Sequence, residues 1–272
     1  MTMLLTIARI NKSYHSSPNP PVQVLHEVSF SLAAGQALGL VGESGSGKST
    51  IAKCIMALIA PESGRIVYDG MDVPRLRGAD LLRFRREVQM VFQDPYGSLN
   101  PRMTAGELIG EGLLVHGLEP TAAGRRERVA EMMRTVGLNP DDMGRYPRSF
   151  SGGQRQRIAI ARALVIGPRV LVCDEPVAAL DVSVQAQVIN LLQDMQRKLD
   201  LAIVFVAHDL AVVRHLCDSI VVLHKGRVVE SGSRADIFDR PQDAYTQALL
   251  AAVPVPDPEI GRARRQRKHA LT

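Results

Sequence analysis

The sequence predicts an α/β fold with a largely parallel sheet, an antiparallel β region near the N-terminus and an inserted helical segment. Three observations predict it. "RVLVCDE", "VSVQAQVINLLQDMQRKL" and "LAIVFVAHD" run as buried strand, amphipathic helix and buried strand, the rhythm of βαβ units. Asp69-Gly70 in "GRIVYDGMDV" separates two short β-rich runs and is a hairpin signal. Residues 76–150 become richer in Arg, Glu, Met and Gly and include the helix-like "AGRRERVAEMMRTVGL".

The other elements follow in chain order. "VLHEVSFSLAAGQALGLVGESG" alternates and then becomes continuously apolar, which indicates a half-exposed strand followed by a buried one. In the next helix we expect these residues to face inward: Ile51, Ile55, Leu58 and Ile59. In the helix after "DEPVAALD", the predicted inner face is Val184, Val188, Leu191, Leu192, Met195 and Leu199. "IVVLHKGRVVESG" predicts a closing hairpin, and "SRAD" predicts a capping box that opens another helix.

The charge is concentrated at one end of the chain. Of its 33 Lys and Arg residues, five lie in the acid-free stretch "GRARRQRKHALT", and without these five the body carries 28 basic against 28 acidic residues. The neutral body argues against a nucleic-acid-binding face. For the tail we expect a solvated end, with loose attraction to anionic lipid headgroups as the alternative. The five basic residues are Arg262, Arg264, Arg265, Arg267 and Lys268.

Cysteines and apolar runs bear on the compartment. The three cysteines lie far apart in apolar surroundings without metal-type spacing, which predicts buried free thiols in a reducing compartment. "MTMLLTIARINK" lacks the charged start and cleavage site of a signal peptide. Runs such as "LAIVFVA" are far shorter than the ~20 residues of a membrane span. We therefore expect a cytosolic chain that reaches a membrane only through a partner.

The stretch "GLVGESGSGKST" follows a predicted strand, precedes a helix and fits the pattern G-x-x-x-x-G-K-[ST]. Glycines let the backbone curl around a phosphate, and the freed amides and the helix N-terminus then point at the anion. Lys48 would reach the β- and γ-phosphates, and the Ser49 hydroxyl would ligate Mg²⁺. The predicted phosphate-binding residues are Gly42, Glu43, Ser44, Gly45, Ser46, Gly47, Lys48, Ser49 and Thr50.

Two adjacent carboxylates, Asp174 and Glu175, end the buried-type strand "RVLVCDE". An unpaired buried charge is costly, so a cation or a substrate is expected beside them. We predict that Asp174 holds Mg²⁺ through water and that Glu175 polarises the attacking water as general base.

"SFSGGQRQRIAIARAL", just upstream of these carboxylates, resembles the signature motif of ATP-binding cassette (ABC) ATPases, and the motif order from about residue 4 to 250 is similar to that family. The resemblance implies a RecA-like P-loop NTPase core (1–95 and 150–240), a helical subdomain (about 96–149), and, after residue 250, a Pro-rich linker and basic tail (251–272). It also implies that ATP is sandwiched in a dimer, capped by four residues of a second ATPase subunit: Ser151, Gly152, Gly153 and Gln154.

Further roles come from the same resemblance. Gln93 in "MVFQDP" matches the glutamine that reads the γ-phosphate and Mg²⁺, and His208 matches the switch histidine that contacts the γ-phosphate. Asp181 matches the residue that couples the two sites, and Tyr14 the aromatic that stacks on adenine. Two positions depart from the family: Ala178 or Ala179 stands where Ser is usual, and Phe150 stands where Leu is usual. Neither replaces a phosphate or metal ligand, so we expect hydrolysis to survive.

"VFQDPYGSLNPRMT" and "RPQDAYTQALLAAVP" are similar to segments of the di- and oligopeptide and nickel importer subfamily. This implies a single cassette at the cytoplasmic face of the membrane, partnered by transmembrane permease subunits, a second ATPase chain and, indirectly, a solute-binding protein. Residues 94–102 would face the permease. Many relatives carry a Cys-rich iron–sulfur segment near the C-terminus, whereas this chain has no cysteine after Cys217.

Other hypotheses remain open at this stage. The chain could be an importer subunit for nickel or other small solutes, a degenerate partner cassette, or an ABC ATPase that acts on ribosomes or DNA. The single cassette and the neutral body argue against the last, and the intact Lys48, Asp174, Glu175 and His208 argue against the second.

Overall fold

The computed structural model describes residues 3–16, 19–178 and 180–252. In that part of the chain, the strands are β1 (Met3–Ser16), β2 (Asn19–Ala33), β3 (Ala37–Val41), β4 (Ser63–Tyr68), β5 (Met71–Asp72), β6 (Val88–Val91), β7 (Val170–Asp174), β8 (Ala202–Ala207), β9 (Ser219–His224) and β10 (Arg227–Ser233). The helices are α1 (Lys48–Ile55), α2 (Gly78–Glu87), α3 (Pro95–Ser98), α4 (Ala105–Val115), α5 (Ala122–Thr135), α6 (Gly152–Leu164), α7 (Val182–Leu199), α8 (Leu210–Leu216), α9 (Arg234–Asp239) and α10 (Ala244–Ala251). Ala179 and most of the predicted linker and tail, from residue 253 on, lie outside the described residues.

Six of the described strands form the central sheet in the order β10-β9-β3-β8-β7-β6. The strands β9, β3, β8, β7 and β6 are parallel, and β10 pairs antiparallel with β9 as the predicted closing hairpin. Parallel strands present their carboxyl ends at one edge, and ligands of open α/β sheets bind there. The phosphate motif follows β3, His208 follows β8, and the Asp-Glu pair spans the end of β7, so the topology gathers them at this edge.

Four other described strands form an antiparallel sheet in the order β2-β1-β4-β5. The predicted hairpin is confirmed: β4 and β5 pair antiparallel, and Asp69 and Gly70 between them both have positive φ, at 47° and 79°. Two positive φ values in a two-residue turn match the right-handed twist of the flanking strands.

Two apolar cores lie on opposite faces of the central sheet. Along β7, Val170 and Val172 belong to the core shared with α1 and the antiparallel sheet, whereas Leu171 and Cys173 belong to the core shared with α6 and α7. This alternation follows from the two-residue period of a strand. The described cysteines are buried free thiols, as predicted.

The helical part lies between β6 and β7. The predicted helix at "AGRRERVAEMMRTVGL" is α5, and α4 begins with a capping box in which Thr104 and Glu107 each accept a hydrogen bond from the other's backbone amide. Their apolar faces pack with α6 in the core that α6 shares with α7, where Ile158, Ala161 and Val165 are buried. The predicted capping box at Ser233 is also confirmed, with Asp236 as its partner.

Two predicted inner-face residues are exposed. Leu58 is 59% exposed because α1 ends at Ile55 and Ala57 then adopts a positive φ, which ends the helical period. Leu199 is 47% exposed because it is the last residue of α7, followed by left-handed Asp200. Periodicity predicted the faces of both helices correctly but not where the faces end.

Candidate functional site

A cavity of about 380 Å³ opens at the carboxyl edge of the central sheet. Its walls come from the antiparallel sheet, the turn before α1 and the segments after β6 and β7. The lining residues are Tyr14, Val24, Ser44, Gly45, Gly47, Lys48, Ser49, Thr50, Gln93 and Glu175. Most of the residues that the sequence predicted for phosphate binding and hydrolysis therefore meet in one place.

The phosphate loop (residues 42–49) depends on glycine at two positions. Gly42 has φ +155°, and a Cβ there would collide with the Leu223 carbonyl oxygen of β9. Gly47 has φ +106°, and a Cβ there would press on the side chain of Leu25 in β2. One side of the loop thus packs tightly against β9 and β2. Its other side, with the first residues of α1, borders the cavity. The amides at a helix N-terminus and the helix dipole favour an anion.

Lys48 is a buried ammonium group, only 4% exposed. Its Nζ donates hydrogen bonds to the carbonyl oxygens of Gly42 and Glu43, both at 2.8 Å, and lies 4.0 Å from Glu175 Oε1. Burial lowers the pKa of Lys48, while the carboxylates of Glu175, Asp174 and Glu43 oppose that shift. A cation held in this way lies at the cavity wall, where charge-assisted hydrogen bonds to an anion would be strong.

Ser49 and Asp174 join the loop to β7. The Ser49 hydroxyl donates a hydrogen bond to Asp174 Oδ1 at 3.1 Å. Burial raises the pKa of Asp174 above the usual aspartate value, and the neighbouring Glu175 raises it further, whereas Ser49, Lys53 and Lys48 lower it. A buried carboxylate beside a second carboxylate is a place where a cation would be stabilised.

The Glu175 side chain has three polar partners, which are Lys48, Gln93 and His208. Gln93 Nε2 donates to Glu175 Oε2 at 3.2 Å, and His208 Nδ1 lies 3.3 Å from the same oxygen. Its backbone has φ +46°, a left-handed conformation that is uncommon for a residue with a side chain. Glu175 lines the cavity, at the strand end for which the sequence predicts a general base.

Tyr14 lies on the wall that the antiparallel sheet provides. The ring is 41% exposed, and its hydroxyl is 3.5 Å from Thr50 Oγ1. The Lys12 ammonium lies 5.9 Å from the ring centroid. An exposed aromatic face beside a phosphate loop can stack on a base, and its position is compatible with that role.

The signature residues stand apart from this cavity. Ser151 Oγ accepts a hydrogen bond from the Gln154 amide at 3.3 Å, and Gln154 Oε1 accepts one from the Ser151 amide at 2.9 Å, which closes a capping box at the start of α6. Neither these two, nor Gly152 and Gly153, line the cavity of their own chain. Asp181 is exposed at the start of α7. Phe150 is buried, and the Arg145 guanidinium lies 4.8 Å from its ring centroid.

The sequence did not predict a side-chain contact between the C-terminal part of the chain and the phosphate loop. The Glu43 amide donates a hydrogen bond to the hydroxyl of Tyr245 in α10 at 3.1 Å. Tyr245 lies in the quoted "RPQDAYTQALL", but no local pattern could pair two positions that are 202 residues apart. The Ser46 hydroxyl, also in the loop, is buried and has no partner among the described residues.

The oxygen donors present suit Mg²⁺. This ion is usually held by one or two protein oxygens and takes its other ligands from water and phosphate. Ser49 and Asp174 supply such a pair at the edge of the phosphate loop. Within the described residues, no group of three His, Cys, Asp or Glu side chains could hold a metal ion by itself.

None of the helices in residues 3–16, 19–178 and 180–252 is both long and apolar enough to cross a bilayer. The ABC transporter family model matches residues 25–178, and a model of the oligopeptide/dipeptide transporter C-terminal region matches residues 229–271.

Curated relatives match almost the whole chain. A putative peptide import ATP-binding protein of Brucella ovis is 50% identical over 258 residues, which is 95% of this chain and 81% of that protein. The oligopeptide transport ATP-binding protein OppF of Bacillus subtilis is 44% identical over 270 residues, which is 99% of this chain and 88% of that protein.

Solved structures show the same fold. A dimeric ATP-binding cassette in a post-hydrolysis state with ADP and Pi has a TM-score of 0.77 at 29% identity, covering 85% of this chain and 98% of that one. CbiO1 of Clostridium perfringens, part of a transporter complex, has a TM-score of 0.80 at 27% identity, covering 97% of this chain and 99% of that one.

Proposed function

The chain belongs to the ATP-binding cassette family of transporter ATPases, and from this premise we propose that it is the ATP-hydrolysing, energy-coupling subunit of a di- or oligopeptide importer. The observation that carries the ATPase function is the convergence of Lys48, Ser49 and Glu175 on one cavity at the carboxyl edge of a parallel sheet, with Asp174 hydrogen-bonded to Ser49. The match of residues 229–271 to the oligopeptide/dipeptide transporter C-terminal region supports the substrate class.

The reaction would proceed by positioning and electrostatics. Lys48 and the loop amides bind the β- and γ-phosphates, and Tyr14 stacks on the adenine. Glu175 accepts a proton from the water that attacks the γ-phosphorus, and the bond to the β–γ bridging oxygen breaks to give ADP and inorganic phosphate. Gln93 and His208 both lie within 3.3 Å of Glu175 Oε2 and keep that carboxylate aimed at the water.

We assign the magnesium site to Ser49 and Asp174, with Gln93 at its rim. The bound ion supplies positive charge to the phosphate oxygens. Ser49 and Asp174 come from different elements, α1 and β7, and their 3.1 Å hydrogen bond keeps both oxygens on the same side of the cavity.

The active unit would be a dimer of ATPase subunits. Ser151, Gly152, Gly153 and Gln154 form a helix N-terminus outside their own chain's cavity, and such a terminus attracts a phosphate. In the dimer they would cap the γ-phosphate held by the second subunit, and Asp181 would couple the two sites. The partner is a second copy or a related ATPase chain. ATP binding then closes the dimer, and hydrolysis opens it.

Permease subunits would dock beside the cavity, which places the chain at the cytoplasmic face of the membrane. The supporting feature is the segment 94–102, which follows Gln93 and is tied to α6 by Arg162 Nη1, 2.8 Å from the Ser98 carbonyl oxygen. Motion of the permease at this segment would reach Glu175 through Gln93. We propose the division of the chain into a core (1–95 and 150–240), a helical subdomain (about 96–149) and a C-terminal segment (251–272).

Transport assays test this function. A strain that lacks the chain is complemented with wild type or with Lys48→Ala, and uptake of a labelled di- or oligopeptide is measured. We expect uptake with the wild type and none with the variant, because the buried ammonium that binds the phosphates is lost. Equal expression of both proteins serves as the control.

The same strains separate the alternatives. Nickel uptake that depends on the chain, without peptide uptake, would replace peptide by another solute as the cargo. Permease subunits that co-purify with the chain support the proposal. Recovery of ribosomes or DNA, and no permease, would overturn the importer assignment.

A further inference from the structure

The C-terminal part of the chain holds the phosphate loop at three points. The Leu223 carbonyl oxygen of β9 lies where a Cβ on Gly42 would be. The Gly226 amide, in the β9–β10 turn, donates to the Ser46 carbonyl oxygen at 3.0 Å. The Glu43 amide donates to the Tyr245 hydroxyl at 3.1 Å. The first two contacts use backbone, so the third is the one that a single side chain controls.

Tyr245 is fixed in place by its surroundings. Its ring stacks on the His224 ring with centroids 3.9 Å apart and planes 2° apart. Burial raises the pKa of the Tyr245 hydroxyl, so it stays protonated at neutral pH, and as a neutral phenol it can accept from the Glu43 amide.

Helix α10 is itself anchored to the sheet. Glu230 in β10 accepts hydrogen bonds from the amides of Gln242 at 2.8 Å and Asp243 at 3.2 Å. Asp243 then caps α10 by accepting from the Tyr245 amide at 2.8 Å. The hydroxyl of Tyr245 is therefore carried by a helix that is hydrogen-bonded to β10, the kind of support that a positioning group requires.

The peptide unit between Gly42 and Glu43 is held at both ends. Its N–H donates to Tyr245, and its carbonyl oxygen, on Gly42, accepts from Lys48 Nζ at 2.8 Å. Hydrogen bonds at the two ends of one peptide group polarise each other and strengthen together. The Tyr245 hydroxyl thus fixes the orientation of the carbonyl on which the phosphate-binding lysine rests.

We propose that Tyr245 is a positioning residue for ATP binding: its hydroxyl, carried by the C-terminal helix, orients the Gly42–Glu43 peptide and with it Lys48. This inference rests on the proposed ATP site and adds a residue that acts on the loop from 202 positions away. It also gives α10, which lies within the matched C-terminal region, a part in nucleotide binding.

The test is Tyr245→Phe in the full chain. The variant keeps the ring that stacks on His224 and removes only the hydroxyl. We expect the Kd and KM for MgATP to rise by about 2- to 12-fold, the effect of one net hydrogen bond on an equilibrium constant, with kcat within twofold of wild type. Calorimetric titration gives Kd, and steady-state hydrolysis separates KM from kcat.

Tyr68→Phe is the matched control. Tyr68 is fully buried in β4, and its hydroxyl donates to Glu87 Oε2 at 2.7 Å, away from the phosphate loop. This variant also loses one tyrosine hydrogen bond, so we expect a lower Tm and an unchanged Kd for MgATP. The comparison separates positioning of the loop from a general loss of stability.

Each outcome decides the proposal. A raised KM and Kd in Tyr245→Phe alone supports it. An unchanged Kd in Tyr245→Phe, an equal rise in Tyr68→Phe, or a fall in kcat at unchanged Kd overturns it. If wild type itself binds no MgATP, both the proposed ATP site and this inference are wrong. If wild type binds MgATP and Tyr245→Phe binds it equally well, only this inference is wrong.

Discussion

The two features for which we propose phosphate binding, the phosphate loop and the start of α6, differ in how many of their polar groups already meet at a cavity of their own chain. The loop is packed on β2 and β9, and its lysine and serine already contact groups of their own chain. At the start of α6, the Ser151 and Gln154 side chains accept hydrogen bonds from each other's backbone amides, outside the cavity. Under the proposed function, the loop would bind its ligand within a single chain, whereas the start of α6 would meet a phosphate only in a dimer. Four predictions test this difference.

The largest effect should come from Glu175→Gln, in the cavity beside the phosphate loop. The amide is isosteric but accepts no proton, so kcat should fall by about 10²- to 10⁴-fold, the usual contribution of a general base. MgATP binding should persist, because Lys48 and the loop are untouched. Hydrolysis and Kd are measured on the same preparation. Substantial turnover in this variant would show that another group is the base.

The next largest effect on turnover should come from Ser151→Ala, at the start of α6. A hydrogen bond to a charged group contributes about 1.5–3 kcal/mol, so turnover of the assembled dimer should drop about 10- to 150-fold. The Kd for MgATP of the isolated chain should not change. Ser233→Ala is the control, because Ser233 caps α9 with the same capping-box geometry. Equal losses of turnover in both variants would mean that capping alone explains the effect.

Tyr14→Ala should have a smaller effect, and this effect should be on ATP binding in the cavity beside the phosphate loop. Stacking of a base on an aromatic ring contributes about 1–3 kcal/mol, so the Kd for ATP should rise at least about fivefold. The rise should appear in the isolated chain, unlike the effect of Ser151→Ala. Tyr14→Phe should bind like wild type, because the hydroxyl is 3.5 Å from Thr50, the limit of a hydrogen bond. Weakened ATP binding by both variants would assign the role to the hydroxyl instead.

The smallest expected effect is that of Asp174→Asn, and it is an effect on the stability of the folded chain. Burial raises the pKa of Asp174 in the folded chain, so the native state holds its proton to higher pH than the unfolded state. Stability must then fall as pH rises from the unfolded pKa of about 3.9 through the raised folded value. Without nucleotide or metal, Asp174→Asn should therefore have a higher Tm than wild type at pH 7, and the difference should shrink towards pH 4. A difference in Tm between the variant and wild type that does not change with pH would contradict this account.

Local chemistry made much of the site predictable. Glycines at 42 and 47, followed by Lys48 and Ser49 at a strand-to-helix junction, predict a phosphate cradle because each residue type has a conformational or charge reason to be there. The Asp69-Gly70 hairpin and the Ser233 capping box were predictable for the same reason, since each is formed by residues close in sequence. Roles that depend on a second chain, at Ser151 and Asp181, came only from resemblance to a family.

The sequence by itself determined the fold class, the phosphate loop and the acidic pair, because short-range periodicity and residue chemistry specify them. Tertiary structure decided which groups converge. Gln93, Glu175 and His208 meet because β6, β7 and β8 are neighbours in the sheet. Tyr245 meets Glu43 because α10 packs against β10 and places the Tyr245 ring on His224 at the end of β9. It also decided that Leu58 and Leu199 stay exposed, where their helices end. Contacts between distant positions follow from strand order and helix packing, and these depend on the whole chain at once.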